Sequence, residues 1–323
     1  MNKWTKVLGV VAATAMFIPL AACGGSRGTT TAGGNGGSSD TVKVGISMPE
    51  QMLERWKIDG ENLKKQLEGY GYDVTLQYAD GKTDLQTSQI QNMANNGMNY
   101  VVIASIDGTA TGAAAEQVAS NGGKVIVLLN NVSAMEVQEI EDNVGVDAIL
   151  QVGLPGGYGF YGVADILSGA VSPSGHLTDT YAVKNASAPS AQNFGDLQWA
   201  NANPDISMND AIVEAENIYI GYKYYETRYF DTVMGQGNAA STVGSSTGSA
   251  WNYDDEVTYP FGYGLSYTTF EQTLDNLNVD LENETVTANV TVKNTGSVAG
   301  KDVVQLYVSL PYTDYDKEHG VEK

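Results

Sequence analysis

Tyr100-Val101-Val102-Ile103-Ala104 is an apolar run without a polar break. Such a run fits a strand covered on both faces, as in a parallel sheet, whereas a half-solvated strand would alternate. Working upstream, Val42-Lys43-Val44-Gly45-Ile46-Ser47 alternates as a short strand, and residues 73–78 read as another. Between them Leu53, Trp56, Leu63 and Leu67 recur at helical spacing over 52–69. Residues 84–96 and 111–120 predict two further helices. Downstream, Val125-Ile126-Val127-Leu128-Leu129 is a second fully apolar run. It is followed by a helix capped at Ser133 and reaching Asp142, a strand over 147–152 and a helix over 158–168. Strands alternating with helices in this way predict parallel pairing through right-handed crossovers.

Composition narrows the function. The chain has 323 residues, 38 acidic and 17 basic side chains and a formal net charge of -21. A polyanion without a basic stripe repels phosphate backbones, so nucleic acid is not an expected partner. One cysteine and two histidines exclude a disulfide framework within the chain and argue against a metal site. No cofactor is expected. Pro155-Gly156-Gly157-Tyr158-Gly159 is rich in glycine but lacks the Lys-Ser/Thr of a phosphate loop.

The cysteine stands at an informative place. Lys3 and Lys6 precede an uncharged run from Val7 to Leu20, which ends in Leu20-Ala21-Ala22-Cys23. That is the layout of a secretory signal over 1–23, and its last four residues resemble a bacterial lipobox. The resemblance implies lipidation at Cys23, with export to the extracytoplasmic face of the cell membrane. An ordinary signal followed by a buried structural cysteine is the alternative. Residues 24–40 are mostly Gly, Ser, Thr, Ala and Asn, a flexible linker.

Residues 41–123 resemble the N-terminal lobe of multiple-sugar and xylose-binding proteins of ABC importers. The likeness is carried by Ile46-Ser47-Met48-Pro49, Glu54-Arg55-Trp56, Leu76-Gln77-Tyr78-Ala79-Asp80, Ser88-Gln89-Ile90-Gln91-Asn92-Met93 and the segment Val102 to Gly108. It implies that Arg55 and Trp56 contact sugar. Planar guanidinium donors suit sugar hydroxyls, and an indole suits the C–H face of a pyranose. The residues alone also fit a solvated Arg beside a core Trp. The family's next strand ends in Tyr-Asp-Arg, where this chain reads Leu129-Asn130-Asn131.

Residues 124–270 resemble the C-terminal α/β domain of glycoside hydrolase family 3. The motifs are Val125 to Asn130, Pro155-Gly156-Gly157, Ser174-Gly175-His176-Leu177, Glu216 to Glu226 and Tyr259-Pro260-Phe261-Gly262-Tyr263-Gly264-Leu265-Ser266-Tyr267. Residues 271–323 look like a truncated fibronectin type III-like module with about three strands, loosely packed for want of its other layer. The wording of 216–229 and of Pro311 to Tyr315 is similar to the β-glucosidase subgroup in which the barrel domain follows that module.

Retaining glycosidases need a nucleophilic carboxylate and a carboxylic acid about 5–5.5 Å apart. In family 3 the nucleophile lies in the barrel and the acid/base Glu lies upstream of the strand equivalent to Val125–Leu129. That upstream stretch is importer-type here, so the resemblance implies no catalytic residue in this chain. Glu214, Glu216, Glu226, Asp231, Asp254 and Asp255 read as solvated or turn acids, and His176 as a structural turn residue. A separate barrel-domain chain is a possible partner, beside a sugar or glycoside ligand and the membrane.

The expected architecture is therefore α/β: one composite parallel sheet of five or six strands flanked by helices, then an incomplete all-β sandwich. Mismatched packing is expected where helices of one parent meet the sheet of the other, and a mobile loop is expected over 235–250. The expected function is carbohydrate metabolism through a family 3 accessory region joined to a sugar-binding half-lobe. The alternatives are a sugar-binding importer lipoprotein and a gene fusion or assembly chimera without function.

Overall fold

A computed structural model describes residues 41–129, 145–195, 197–198, 205, 210–214, 216–308 and 313–319. Cys23, the linker over 24–40 and the helix expected from Ser133 to Asp142 lie outside the described residues. Those described form two compact units, one up to Ser172 and one from Pro173 onward.

The first unit is built on β1 (Lys43–Met48), α1 (Glu54–Gly69), β2 (Asp73–Tyr78), α2 (Thr83–Asn95), β3 (Tyr100–Ala104), α3 (Gly108–Ser120), β4 (Lys124–Leu129), β5 (Ala148–Gln151) and α4 (Gly156–Leu167). The five strands pair in parallel in the order β2-β1-β3-β4-β5. Register runs straight across the join, with Val101 opposite Val125 and Ile126 opposite Ala148. The apolar runs of β3 and β4 are buried on both faces, as a sheet with helices on each side requires.

One face carries Val44, Ile46, Val102, Ala104, Ile126 and Leu128, and against it lie Leu63 and Leu67 of α1 with Phe160, Val163, Ala164 and Leu167 of α4. The expected mismatch is therefore not what the structure has. Phe160 is fully buried, and α1 and α4 form a single apolar layer. Polar groups at the rim of that layer are matched as well. Asn62 Nδ2 donates to the Gly157 carbonyl at 2.5 Å, and Asp165 Oδ1 accepts from Gln66 Nε2 at 2.9 Å and from the Tyr70 hydroxyl at 2.7 Å. The reason is geometric: both parents cover a parallel sheet with helices antiparallel to the strands, so either helix fits the same groove.

The second unit contains short antiparallel pairs, β6 (Tyr181–Ala182) with β9 (Val257–Tyr259) and β7 (Leu197–Gln198) with β8 (Asp210–Ala211). Its longest helix is α5 (Tyr222–Met234). Gly235 stops that helix in the left-handed region, at φ 65° and ψ 36°, while the Gln236 N–H donates to the Asp231 carbonyl at 2.8 Å. Ala182, Tyr225 and Trp251 form its small core. Residues 236–250 hold only turns and bends, yet they are clasped rather than loose. Arg228 donates from Nε to the Ala239 carbonyl at 2.8 Å and from Nη2 to the Ser241 carbonyl at 3.1 Å, with its guanidinium 4.8 Å from the Trp251 ring centre.

The C-terminal region has two strands where three were expected, β10 (Phe270–Asp280) and β11 (Thr285–Asn294). A bulge between Leu274 and Asn276 keeps Leu274 and Leu277 on the face shared with Val279, Val286 and Val290. Residues 301–308 join no strand. Gln272 Nε2 instead donates to Asp302 Oδ2 at 2.7 Å and to the Val303 carbonyl at 3.0 Å, so a side chain takes the place of a ladder. Leu274, Leu277, Val279 and Val286 stay exposed. Among the described residues no helix is long and apolar enough to cross a membrane.

Candidate binding site at the carboxyl edge of the sheet

Strand order reverses between β1 and β3, so the connections leaving their carboxyl ends diverge there, at the position where open α/β sheets bind ligands. The edge is stiffened by one buried side chain. Gln86 of α2 donates from Nε2 to the Ala104 carbonyl at 2.9 Å and to Ser47 Oγ at 3.2 Å, and its Oε1 accepts the Ile106 N–H at 2.9 Å. Both ends of the amide are satisfied, and β1 and β3 are pinned together where they end. Asp107 then caps α3 by accepting the Ala110 N–H at 2.8 Å. The loops after β1 and β2 are joined by the Gly81 N–H, which donates to the Pro49 carbonyl at 2.9 Å.

Arg55 and Trp56 sit in the first turn of α1, just beyond β1. The Arg55 guanidinium lies 4.5 Å from the Trp56 ring centre, a cation–π distance. Trp56 also leans on the apolar core, which is the bland half of the two readings left open by the residues. Arg55 is not simply solvated: Nε is 3.5 Å from Asp59 Oδ2, and Nη2 is buried without a hydrogen-bond partner. The Arg55 side chain remains 39% exposed, while that of Asp59 is 2% exposed.

Burial raises the Asp59 carboxyl above its ordinary range, and the charge of Arg55 pulls it part of the way back. Beside it the Tyr78 hydroxyl donates to the Lys57 carbonyl at 3.1 Å. Burial, then the charges of Glu61 and Asp59, push Tyr78 up to about 12 from 10. A raised folded-state value means stability is present below pH 10 and is lost as pH climbs from 10 past 12. Thermal melts taken from pH 9 upward are expected to fall more steeply for the native protein than for Tyr78→Phe.

Neither Asp59 nor Gln86 was singled out from the sequence. For Asp59 a signal existed, since it lies one turn beyond Arg55. For Gln86 there was none, because a glutamine on an amphipathic helix ordinarily faces water.

In the second unit the acids depart from expectation in one respect. Asp231 is fully buried, not solvated, and so is Glu256, which the sequence reading passed over. Glu256 accepts the Ser246 N–H at 2.7 Å and the Ser187 hydroxyl at 3.4 Å, a stapling role. Glu226 accepts the Tyr253 hydroxyl at 2.5 Å, and burial first, then that bond, drives the Tyr253 phenol strongly upward. Asp254 and Asp255 stay in the exposed first turn of α6 (Tyr253–Glu256). His176 Nδ1 is 3.1 Å from the Ser174 carbonyl and Nε2 is 3.8 Å from Asp302, a turn-bracing position. An apolar hollow of about 350 Å³ runs along β5 and α4, lined by Leu150, Val152, Gly159, Gly162, Val163 and Val171.

Two family models match the chain. The glycosyl hydrolase family 3 C-terminal domain matches residues 104–267, and the periplasmic binding protein domain matches residues 44–149. The overlap, residues 104–149, contains β4 and reaches the first two residues of β5. A beta-glucosidase from Ruminococcus albus is 35% identical over 60% of this chain and 16% of its own length. Thermostable beta-glucosidase B from Acetivibrio thermocellus is 32% identical over 60% of this chain and 21% of its own length. The chain thus spans about a sixth to a fifth of these curated relatives.

Among solved structures, the beta-glucosidase D2-BGL from Chaetomella raphigera is similar over 80% of this chain and 39% of its own, with 18% identity and a TM-score of 0.51, a likeness of fold. An ABC transporter solute binding protein from Clostridium phytofermentans, solved with bound beta-D-glucose, is 44% identical over 27% of each chain, with a TM-score of 0.27. With a family model covering just over half of its residues, this chain belongs to glycosyl hydrolase family 3 through that family's C-terminal domain, and a periplasmic-binding-protein domain shares its sheet.

Proposed function

We propose that this chain is an exported, carbohydrate-directed module that holds a hexose weakly at Arg55 and Trp56 and does not cleave glycosides by itself. The observation that carries the reading is the Arg55 guanidinium 4.5 Å from the Trp56 ring centre beside the strand-order reversal, with the Arg55 side chain still 39% exposed. A planar donor next to an indole face matches the hydroxyl and C–H faces of a pyranose. Glucose is the natural probe, because the curated relatives are beta-glucosidases. Binding is weak because one lobe covers only one side of a ligand, where sugar sites normally enclose most of it.

The inactive reading rests on the need for two facing carboxylates. The segment ahead of β4 is sugar-binding-protein sequence, and within the family 3 region Glu226 and Glu256 are occupied by Tyr253, Ser187 and Ser246. The same reading takes 1–23 as a lipoprotein signal, Cys23 as the anchored residue, 24–40 as tether, 41–123 as sugar-binding lobe, 124–270 as family 3 region and 271–323 as a fibronectin type III-like module. A barrel-bearing chain would be its partner for hydrolysis.

The test pairs two measurements on the full chain. Saturation-transfer NMR with D-glucose is expected to show contact that disappears in Arg55→Ala, and p-nitrophenyl β-glucoside is expected to stay uncleaved. Equal contact in the variant would move the site elsewhere. Steady release of nitrophenol would overturn the inactive reading.

A further inference from the structure

We infer that Asp59 is the positioning residue of the sugar edge: it holds the Arg55 guanidinium over Trp56 and touches no ligand itself. The inference rests on the reading that Arg55 and Trp56 contact sugar.

Arg55 carries a long, rotatable side chain, and a free one would sample many rotamers in water. Here it is held between two groups of its own helix. Trp56 supplies a flat face 4.5 Å from the guanidinium carbon, and Asp59 supplies an acceptor 3.5 Å from Nε. The contact is an ion pair and not a hydrogen bond, since Asp59 Oδ2 has no hydrogen-bond partner, so Asp59 holds the fork by its charge. The Arg55 side chain keeps 39% of its surface exposed to a ligand, while Nη2 itself is buried.

Asp59 itself is out of reach of ligand, with its side chain 2% exposed beneath Arg55. A buried carboxylate with a partly solvated counter-ion is a poor stability device, because desolvation outweighs the attraction. The upward displacement of its titration says the same: burial is the larger influence and Arg55 the smaller. A neutral side chain of the same shape is therefore expected to fold at least as well. A group that costs stability while orienting a ligand donor has the profile of a functional residue.

The groups that face it are few and nameable. Arg55 lies one turn back on α1, and Tyr78 approaches from β2, its hydroxyl beside Gly60 and bonded to the Lys57 carbonyl. Tyr78 braces the turn that carries Asp59 and keeps α1 from shifting along the strand.

The experiment compares the full-length native protein with Asp59→Asn and Asp59→Glu, and Arg55→Lys identifies the Arg55 Nε–Hε signal in ¹⁵N-edited NMR. In Asp59→Asn that signal is expected to move to the position of a solvated arginine and exchange faster, with the melting temperature at pH 7 unchanged or higher. D-Glucose affinity is expected to fall roughly tenfold, the scale of one charge-assisted hydrogen bond. Asp59→Glu keeps the charge and is expected to restore part of both signals, which a purely structural role would not do. An unmoved Arg55 signal together with unchanged affinity in Asp59→Asn would overturn the inference, as would a large loss of melting temperature in Asp59→Asn and Asp59→Glu alike. If the native protein shows no glucose contact, the sugar reading fails, and the Arg55 signal still decides whether Asp59 positions it.

Discussion

Phe160→Ala is expected to destabilise the first unit by about 3–5 kcal/mol, the usual cost of truncating a buried aromatic ring. The side chain is fully buried in the layer that α4 shares with α1 and the sheet. In the same cluster are Leu63 and Leu67 from the periplasmic-binding-protein segment and Val163 and Leu167 from α4, so the cavity would open at the seam between the two families. Domains have about 5–15 kcal/mol in total, and a loss of this size removes much of it. Urea unfolding followed by far-UV circular dichroism measures it directly. Tyr158→Ala, on the same helix but 83% exposed, is the control and should change stability by less than about 0.5 kcal/mol. Equal effects of the two substitutions would mean that α4 does not share a core with α1.

The second large effect is expected at Arg228. Its fork reaches the Ala239 and Ser241 carbonyls and the Tyr224 hydroxyl, and its face lies against Trp251. Arg228→Ala removes all of these at once and leaves partly buried carbonyls unpaired, a loss of about 2–3 kcal/mol. Lysine is not a substitute, because a single ammonium cannot span two carbonyls and stack on an indole. Arg228→Lys is therefore expected to recover little. Trp251 is buried at the centre of the clasp, so its fluorescence reports the opening of residues 236–250, with stronger acrylamide quenching expected in both variants. Unchanged quenching would show that the loop is held by the Glu256 contacts alone.

The parallel sheet was legible because its signal is local. Tyr100–Ala104 and Val125–Leu129 are apolar without interruption, and such runs need cover on both faces wherever they stand. Helices α1 to α4 were readable from the sequence, with ends displaced by one to three residues, as at Glu54 and Gly108. Arg55 and Trp56 were reachable for a similar reason: a strand end followed by a helix start places a residue at the sheet edge whatever the rest of the chain does.

Other features were out of reach because their causes are not neighbours in sequence. Residues 301–308 alternate like a strand, yet Gln272, about thirty residues earlier, takes up Asp302 and Val303 instead. Asp231 and Glu256 look like surface acids in isolation, yet both are buried, Glu256 against Ser187 and Ser246 from other parts of the chain. Residues 236–250 read as a loose loop from their Gly and Ser content, since nothing in their own composition tells of the arginine that clasps them.

By itself the sequence determined the class of fold and the two families that meet in it. Each of these follows from short-range pattern: apolar runs, helical spacing and contiguous motifs. Only the tertiary structure decided that α1 and α4 share one apolar layer, that Asp59 pairs with Arg55, and which acids are buried. Those depend on Phe160 meeting Leu63 and on Asp165 meeting Tyr70, pairs brought together by a crossover over the sheet. Burial and orientation are properties of such long-range contacts, and no window of sequence contains both partners.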